Sequence, residues 1–405
     1  MTDTTGRHTR HPLRIVEIET FGRGGLIHYA YNLCAALAKR GHDVTLVTSE
    51  RPELDGHALP PGLTLRSTLA PASQGRSARL PAQAAALVRK AKAFVDACRV
   101  ARLVRRLRPD VVHLHSTNQI ALAYLILLRA IGARIVVTAH VVTAHERTAI
   151  QDAVHRAIHR LSPRVIAHSA FDRERLIREF RIHPDRVAEI PHGEFVFLAR
   201  DTPAVDRLEA RRSLGLDPDD EVVLFFGYIR EYKGLDVLLD AWPAVAAARP
   251  RARLVIAGDP VRLEPQRRAR LERTAARLGA VHRFEYVPFT EVPRYFAAAD
   301  LLALPYRHVS QSGVLFLALA LGLPVVATRV GALPEVLTDG ENGLLVSPES
   351  PAELASAIVR ALEDSLLRER LSRGGRRSAG RYGWPSIAER TEALFESVAP
   401  VHRRV

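Results

Sequence analysis

The chain has 405 residues, of which 47% are hydrophobic and 25% are charged. This is the balance of a soluble globular protein, and the length predicts two domains rather than one. The two cysteines, Cys34 and Cys98, cannot staple a chain of this size, which excludes a disulfide scaffold and indicates a reducing compartment. The net charge of +14 predicts an anionic partner, either nucleic acid, a membrane surface or a phosphorylated substrate.

Neither a signal peptide nor a transmembrane helix is predicted. The N-terminal segment MTDTTGRHTRHP has no apolar run after its charges, so we expect a cytoplasmic protein. The uncharged run from Val309 to Thr328 has about the length of a membrane span, but Gly322 and Pro324 interrupt it. We predict instead a buried helix from about Ser312 to Leu321, then a turn and a buried strand over 324–327.

The first half of the chain alternates strands and helices. Residues 13–18 are predicted as a buried strand, 26–40 as a helix that Gly41 ends, and 43–48 as a second strand. Further strands are predicted at 110–115, 133–140, 164–169 and 186–193, with an apolar helix at about 121–130. Repeated βαβ units of this kind predict a doubly wound parallel sheet.

A second series of the same kind follows a polar linker near 199–220. Its strands are predicted at 221–227, 252–258, 281–287 and 301–306, with a helix at 235–248 and an Arg-rich helix before 281. The segment 217–220 carries an Asp-x-Asp pattern, Asp217 and Asp219, but a turn is the better interpretation. Ligands of such sheets bind beyond the carboxyl ends of the strands, so we expect a site in the cleft between two domains.

Two predicted loops at strand ends suit an anion. Gly24 and Gly25 lie at a helix N-terminus, where backbone amides and the helix dipole favour negative charge, although a sterically required turn is an equal alternative. After the strand that ends at Gly227, Arg230 and Lys233 suit a diphosphate whose charge grows as a bond breaks. The alternative is that both are solvated surface cations.

The segment around Ser312 is a third such place. Gln311, Ser312 and Gly313 expose amides at the start of the predicted helix, and Ser312 can also cap it. This loop lacks carboxylates, so no divalent metal is required there.

Three histidines are expected near the carboxyl edge of the first sheet. His140 ends the predicted strand 133–140, and His113 and His115 lie at the end of 110–115. They are either close to a ligand or capped structural histidines. No cysteine or carboxylate spacing supports zinc, so we predict no metal site.

Taken together, these segments resemble the GT-B-fold glycosyltransferases of family GT4. The resemblance covers nearly the whole chain, through GRGG and GHDVTLVT around the first helix, TAH at 138–140, IPHG at 190–193, GYIREYKGLDVLL, ADLLALPY and GLPVVATRVGALPEVLTDGENGLLVSP. The order and spacing of these motifs are specific, although no single one is. The resemblance implies two Rossmann-like domains, an acceptor-side domain over 1–198 and a donor-binding domain over 199–383, with 384–405 as a helix that crosses back to the first.

The resemblance also implies an activity and a set of site residues. A sugar would move from a nucleotide-diphosphate donor to a glycan or lipid-linked hydroxyl acceptor, with retained anomeric configuration and without a metal or other cofactor. We expect this in the assembly of a surface polysaccharide or glycolipid. The implied catalytic residues are His140, Arg230 and Lys233. The implied donor-binding residues are Gly24, Gly25, Gly227, Val287, Phe289, Gln311, Ser312, Gly313 and Val314. The implied acceptor-side residues are Tyr29, His113 and His115.

The chain departs from the family at one pattern. Many members carry two glutamates, E-x7-E, at positions that are here the apolar Val309 and Leu317. The second glutamate usually binds the nucleotide ribose, and losing such an acceptor typically costs roughly 1–3 kcal/mol. Glu335 is a candidate substitute. We therefore predict a variant enzyme, with a non-catalytic sugar-nucleotide or glycan-binding protein of the same fold as the alternative. An epimerase or phosphorylase of the same fold is a less favoured third interpretation.

Residues 87–108 hold eight basic residues and one acid, Asp96. A basic face of this kind suits a peripheral enzyme at an anionic membrane, and a solvated basic helix is the alternative. Nucleic acid is not supported as a partner, because the run has no aromatic interleaving beyond the single Phe94 and the chain has no known nucleic-acid-binding module.

Overall fold

The structure, a computed structural model, describes residues 11–54, 57–69, 82–115, 119–142, 149–195, 205–261 and 263–399. These residues form two units, each with its own parallel sheet. Unit 1 contains the described residues up to Ala167, Arg175–Ile190 and the described residues from Trp384 onward. Unit 2 contains His168–Glu174 and the described residues within Pro191–Gly383.

Both sheets are parallel throughout, as the alternation of strands and helices predicted. The sheet of unit 1 has the order β3-β2-β1-β4-β5-β6-β7. Its strands are β1 (Arg14–Ile18), β2 (Asp43–Ser49), β3 (Leu63–Leu69), β4 (Val111–Leu114), β5 (Ile135–Thr138), β6 (Arg164–Ala167) and β7 (Val187–Glu189). The sheet of unit 2 has the order β10-β9-β8-β11-β12-β13. Its strands are β8 (Glu221–Phe226), β9 (Ala252–Ala257), β10 (Val281–Arg283), β11 (Leu301–Leu304), β12 (Val325–Thr328) and β13 (Leu344–Val346).

Helices cover the faces of both sheets and bury the apolar strands between them. They are α1 (Gly25–Lys39), α2 (Ala82–Leu107), α3 (Gln119–Ala130), α4 (Ala149–Leu161), α5 (Ala170–Arg178), α6 (Arg207–Ser213), α7 (Leu235–Ala248), α8 (Pro265–Arg277), α9 (Val292–Ala298), α10 (Gly313–Leu321), α11 (Leu333–Val336), α12 (Pro351–Glu363), α13 (Ser365–Gly380) and α14 (Trp384–Val398). In the described ranges, none of them combines the length and apolarity that spanning a bilayer requires.

The run that resembles a membrane span is a helix–turn–strand unit, as predicted. Helix α10 has Ser312 as its N-cap and ends at Leu321, and Gly322 follows with φ 70°. A left-handed residue after the last helical turn is most easily a glycine, which stops the helix before β12 begins.

Some predicted elements were wrong in extent. The linker near 199–220 contains α6, whose N-cap Asp206 accepts a hydrogen bond from the Glu209 amide. Predicted strand 281–287 is only the three residues of β10, and predicted strand 133–140 ends at Thr138.

Helix α14 belongs to unit 1, where it packs beside α1. Phe395 and Trp384 of α14 lie in the core of this unit. Glu392 of α14 pairs with Arg40, and its Oε1 lies 3.2 Å from Nε2 of His42.

Candidate functional site

In unit 2, the loop after β8 places a buried cation. Gly227 ends the strand with φ 97°, and Arg230 to Gly234 then form a tight turn whose Gly234 has φ 66°. A Cβ atom at Gly234 would lie 1.9 Å from the carbonyl oxygen of Pro305, so the turn requires glycine. Lys233, directly before it, is only 8% exposed.

The ammonium of Lys233 has no carboxylate partner among the described residues. Its Nζ donates to the hydroxyl of Tyr306 at 3.2 Å and lies 5.0 Å from the centre of that ring. Burial lowers the pKa of Lys233; Tyr232 opposes this shift and the nearby Arg230 adds to it. A buried cation with only a neutral partner is costly, so this position favours a bound anion.

Tyr306 links Lys233 to the start of α10. Its hydroxyl lies 3.2 Å from Oγ of Ser312, and Ser312 Oγ accepts a hydrogen bond from the amide of Leu315 at 3.3 Å. Because Lys233 can only donate to Tyr306, the Tyr306 proton is directed to Ser312. The hydroxyl proton of Ser312 is then left for another acceptor.

The first amides of α10 are available as donors. Within the described ranges, the amides of Gln311, Gly313 and Val314 have no hydrogen-bond partner. The side chain of Val314 and the ammonium of Lys233 both approach Gly227, at 3.2 and 3.3 Å from where its Cβ would be. The structure thus brings together the predicted residues Gly227, Lys233 and Val314.

Gln311 carries an unsatisfied acceptor in the same segment. Its Oε1 is buried and has no hydrogen-bond partner among the described residues. Buried amide oxygens are nearly always paired in folded proteins, so this atom suits a ligand that donates. Arg230 is half-buried over the ring of Tyr228, with 5.9 Å between its guanidinium carbon and the ring centre.

The remaining predicted donor residues of unit 2 lie in the segment between β10 and α9. Val287 is 7% exposed and belongs to the core, while Phe289 is half-buried and packs against that core.

The two positions of the missing glutamates are part of the core of unit 2. Val309 and Leu317 are each 5% exposed and pack among apolar side chains. The candidate substitute, Glu335, is engaged elsewhere: its two carboxylate oxygens accept the amides of Ala170 and Phe171 at 2.9 and 2.7 Å. Glu335 thus caps α5, and both of its carboxylate oxygens already accept a backbone amide.

In unit 1, the glycine loop before α1 holds carboxylates of the protein itself. Glu53 accepts the amide of Gly24 at 2.8 Å, and Glu19 accepts the amides of Phe21 and Gly22 at 2.7 and 2.8 Å. Gly25 is the first residue of α1. An anionic ligand at Gly24 would therefore have to displace Glu53.

A buried cluster that includes two of the predicted histidines lies at the carboxyl edge of the same sheet. Oε2 of Glu17 accepts a hydrogen bond from Nε2 of His115 at 2.6 Å and lies 2.7 Å from Nδ1 of His113. Nε2 of His113 is hydrogen-bonded to Oγ1 of Thr138 at 2.7 Å. Glu17 was not predicted as a site residue, although a charged residue inside a buried strand was the available signal.

His140 joins this cluster from the loop after β5. Its Nε2 lies 3.4 Å from Nδ1 of His115, and the ring of Tyr29 meets His140 edge-on with 4.8 Å between ring centres. Tyr29, His113 and His115 are at most 1% exposed, whereas His140 is half-buried. Of the four, His140 alone offers a substantial surface to a ligand.

Comparisons with known proteins agree with this geometry. A family model described as "Glycosyl transferases group 1" matches residues 220–364, and one described as "Glycosyltransferase Family 4" matches residues 23–193. The D-inositol 3-phosphate glycosyltransferase of Actinosynnema mirum is 31% identical over an alignment 405 positions long. The alignment covers 94% of this chain and 94% of that protein. The enzyme of the same name from Segniliparus rotundus is 30% identical over 392 residues, with 92% and 84% covered.

Among solved structures, HepE of Anabaena in complex with UDP-glucose is similar in fold. Its TM-score is 0.74 at 19% identity, and the match covers 95% of this chain and 100% of that one. The two parallel sheets, the two family models and the full-length relatives lead to one assignment. The chain belongs to glycosyltransferase family 4 and has the GT-B fold.

Proposed function

We propose that the protein transfers a sugar from a nucleoside-diphosphate donor to a hydroxyl acceptor, with retention of the anomeric configuration. The observation that carries this proposal is the buried ammonium of Lys233, which has no carboxylate partner among the described residues and lies close to the start of α10. A diphosphate would supply the missing counter-charge. The UDP-glucose complex of the related HepE fold supports this donor class.

The chemistry needs a stabilised leaving group more than it needs an enzymic nucleophile. As the bond between the sugar carbon and the diphosphate oxygen breaks, negative charge grows on that oxygen. Lys233 and the amides of Gly313 and Val314 are donors held in place before the reaction, which is the arrangement that stabilises developing charge best. A departing phosphate oxygen then takes the acceptor proton as the new sugar–oxygen bond forms on the same face. We propose that these donors take the role of a divalent metal.

Transfer with an assigned stereochemistry tests this proposal. We expect a panel of UDP-, GDP-, ADP- and dTDP-sugars, offered with D-inositol 3-phosphate and lipid-linked acceptors, to yield one glycoside with the donor's anomeric configuration in EDTA. Mass spectrometry identifies the product, and the coupling constant of the anomeric proton gives its configuration. An inverted product, or activity that EDTA abolishes, would contradict the mechanism.

The loss of the glutamate pair supports one alternative function. Leu317 cannot accept hydrogen bonds from a ribose, so a protein that binds sugar nucleotides without reacting remains the second candidate. Tight donor binding with neither transfer nor hydrolysis across the acceptor panel would favour it.

We further propose that unit 1 works at an anionic membrane surface, on a lipid-linked acceptor in glycolipid or surface polysaccharide assembly. One face of α2 is buried through Ala97, Val100 and Val104. The opposite face combines exposed apolar side chains with exposed cations. Its apolar members are Val88, Phe94 and Val95, and its basic members are Lys92, Arg99, Arg102, Arg105 and Arg106. Phe94 is 58% exposed, which favours insertion among lipid headgroups over simple solvation.

Reversing three charges of this face should release the protein from vesicles. Each basic residue near an anionic surface contributes about 1 kcal/mol, so Arg99, Arg102 and Arg106 replaced by Glu should weaken partitioning at least about 100-fold. Sedimentation with vesicles that contain an anionic lipid measures this. The matched control reverses Arg270, Arg273 and Arg277 on the Arg-rich helix α8, where the net charge change is equal. Equal loss in both variants would mean that net charge alone binds the membrane.

A further inference from the structure

The carboxyl edge of the sheet in unit 1 carries a chain of hydrogen bonds that ends at His140. It runs from the carboxylate of Glu17 to Nε2 of His115 at 2.6 Å, and from Nδ1 of His115 to Nε2 of His140 at 3.4 Å. We propose that Glu17 and His115 are positioning residues that fix the ring orientation and the tautomer of His140. This rests on the proposed function and on the family resemblance, which implies that His140 is a catalytic residue.

The strand register explains why these residues meet. Glu17 of β1 is directly opposite His113 of β4, so both side chains lie on the same face of the sheet. His115 is two residues further along and returns to that face just past the end of β4. His140 follows the end of β5, the next strand in the sheet. A charged residue at position 17 is therefore placed under the two histidines by the fold itself.

The protons of the chain can be assigned from its chemistry. Burial alone would raise the pKa of Glu17, but its neighbours His113 and His115 lower it to about 2. Glu17 is therefore ionised and only accepts, so Nε2 of His115 carries a proton. Burial and the neighbouring His113 lower the pKa of His115 to about 4 against the effect of Glu17, so this ring is neutral and its Nδ1 only accepts. The proton between His115 and His140 must then belong to Nε2 of His140.

The surrounding side chains hold the rings in this arrangement. Thr138 bonds Nε2 of His113, and Phe395 of α14 packs edge-on against the His113 ring at 5.3 Å between centres. Tyr29 meets His115 and His140 edge-on, with ring centres 5.6 and 4.8 Å away. Rings packed this closely cannot turn over without disturbing the core, so the tautomer assignment is a property of the folded unit.

A metal ion is the competing explanation for one glutamate and two histidines in a buried cluster. Ligand atoms on tetrahedral zinc, at bonds near 2.0–2.2 Å, are separated by about 3.3 Å. The carboxylate oxygen and the two histidine nitrogens are 2.6 and 2.7 Å apart, which is hydrogen-bonding distance. A tetrahedral ion at this place would therefore require these atoms to move apart.

Glu17→Gln tests the proposal, because it keeps the size of the side chain and removes the charge and the obligate acceptor. We expect the nitrogen spectrum of 15N-histidine-labelled protein, with His140 assigned from a His140→Ala sample, to lose the single Nε2–H form of His140. We also expect kcat to fall about tenfold or more while the dissociation constant for UDP-glucose, held by unit 2, stays within about twofold. Loss of a general packing contact would not change a tautomer, so this readout separates positioning from stability.

The matched control is Glu392→Gln, which removes the charge from a second buried glutamate–histidine pair among the described residues of unit 1. It should lower the melting temperature without changing the His140 spectrum or kcat. His115→Gln interrupts the same series of hydrogen bonds at its second residue. It repeats the test if Glu17→Gln does not fold.

The outcomes separate this inference from the proposed function. An unchanged His140 tautomer in both Glu17→Gln and His115→Gln overturns the inference, and so does stoichiometric metal in the purified protein that EDTA removes with a change in the His140 spectrum. A third outcome is normal turnover of His140→Ala together with an altered His140 tautomer in Glu17→Gln. It would support the positioning role of Glu17 and overturn only the catalytic role of His140.

Discussion

Lys233→Met is expected to reduce turnover by at least about 100-fold while leaving the protein without ligand as stable as the wild type, or more stable. The charged ammonium is buried against Tyr306 and has no counter-ion among the described residues. Removing one donor aimed at developing charge typically costs about 10²–10³ in kcat. Removing an uncompensated buried charge should not lower the free energy of unfolding and can raise it. Methionine fills a similar volume, and no charged group then has to leave water on folding.

The sign of the stability change follows from the pKa. Burial holds the pKa of Lys233 below its usual value, against Tyr232 and with Arg230, so folding disfavours the charged form. The buried charge of Lys233 therefore lowers the stability of the folded protein at neutral pH. This destabilisation disappears as the pH rises above the pKa of Lys233 in the unfolded chain. Thermal unfolding without ligand, together with steady-state kinetics, checks both halves of the prediction.

Lys39→Met is the control, since Lys39 is an exposed lysine in the last turn of α1. It should change neither turnover nor stability appreciably. Near-normal turnover in Lys233→Met would remove the main catalytic claim. A strong loss of stability would instead show that Lys233 holds the fold together.

Stability is expected to fall steeply as the pH is lowered from 7 towards 4. Among the described residues, six histidines have a pKa that burial lowers, and for four of them the shift is large. The pKa of His28 is lowered to about 3, and those of His115, His159 and His192 are lowered to about 4. In the unfolded chain these histidines become protonated near pH 6.5. In the folded chain they stay neutral until about pH 3–4. Stability is thus fully present above 6.5 and is lost progressively below it, by up to about 1.4 kcal/mol per pH unit for each histidine.

The two tryptophans allow this to be measured for one unit. Trp384 belongs to unit 1 and Trp242 to unit 2, so Trp242→Phe leaves a fluorescence signal from unit 1 alone. Urea unfolding of that variant between pH 7.5 and 5 should give a slope that corresponds to at least three protons, from His28, His115 and His159. His42 and His155 add to it, because burial also lowers their pKa. Adding His159→Gln should reduce the slope by about one proton. A free energy of unfolding that does not change between pH 7 and 5 would contradict the neutral assignment of these rings.

The fold was predictable from the sequence because its signals are local. Buried strands at regular spacing, and a glycine such as Gly322 where a helix must stop, depend on neighbouring residues only. β3 was missed because only its two end residues are buried, so LTLRSTL does not resemble the buried strands of the rest of the sheet. The short helix α6 was missed because polar residues dominate it.

The candidate site was predictable where its residues follow a strand directly. Lys233 and the start of α10 are of this kind, since parallel strands place such loops at one edge of the sheet. The role of Glu17 could not be predicted from the sequence, because it depends on the register between β1 and β4. Nor could the sequence indicate that Glu53 takes the amide of Gly24, because the two residues are 29 positions apart.

The most direct test of the account is calorimetric titration of the wild type and Lys233→Met with UDP-, GDP-, ADP- and dTDP-sugars in EDTA. We predict that the wild type binds one nucleotide class selectively without metal, and that Lys233→Met loses this binding while remaining folded. Equal affinity of both proteins for the donor, or no binding of any donor to the wild type, would contradict the assignment of the loop after β8 and the start of α10 as the diphosphate site.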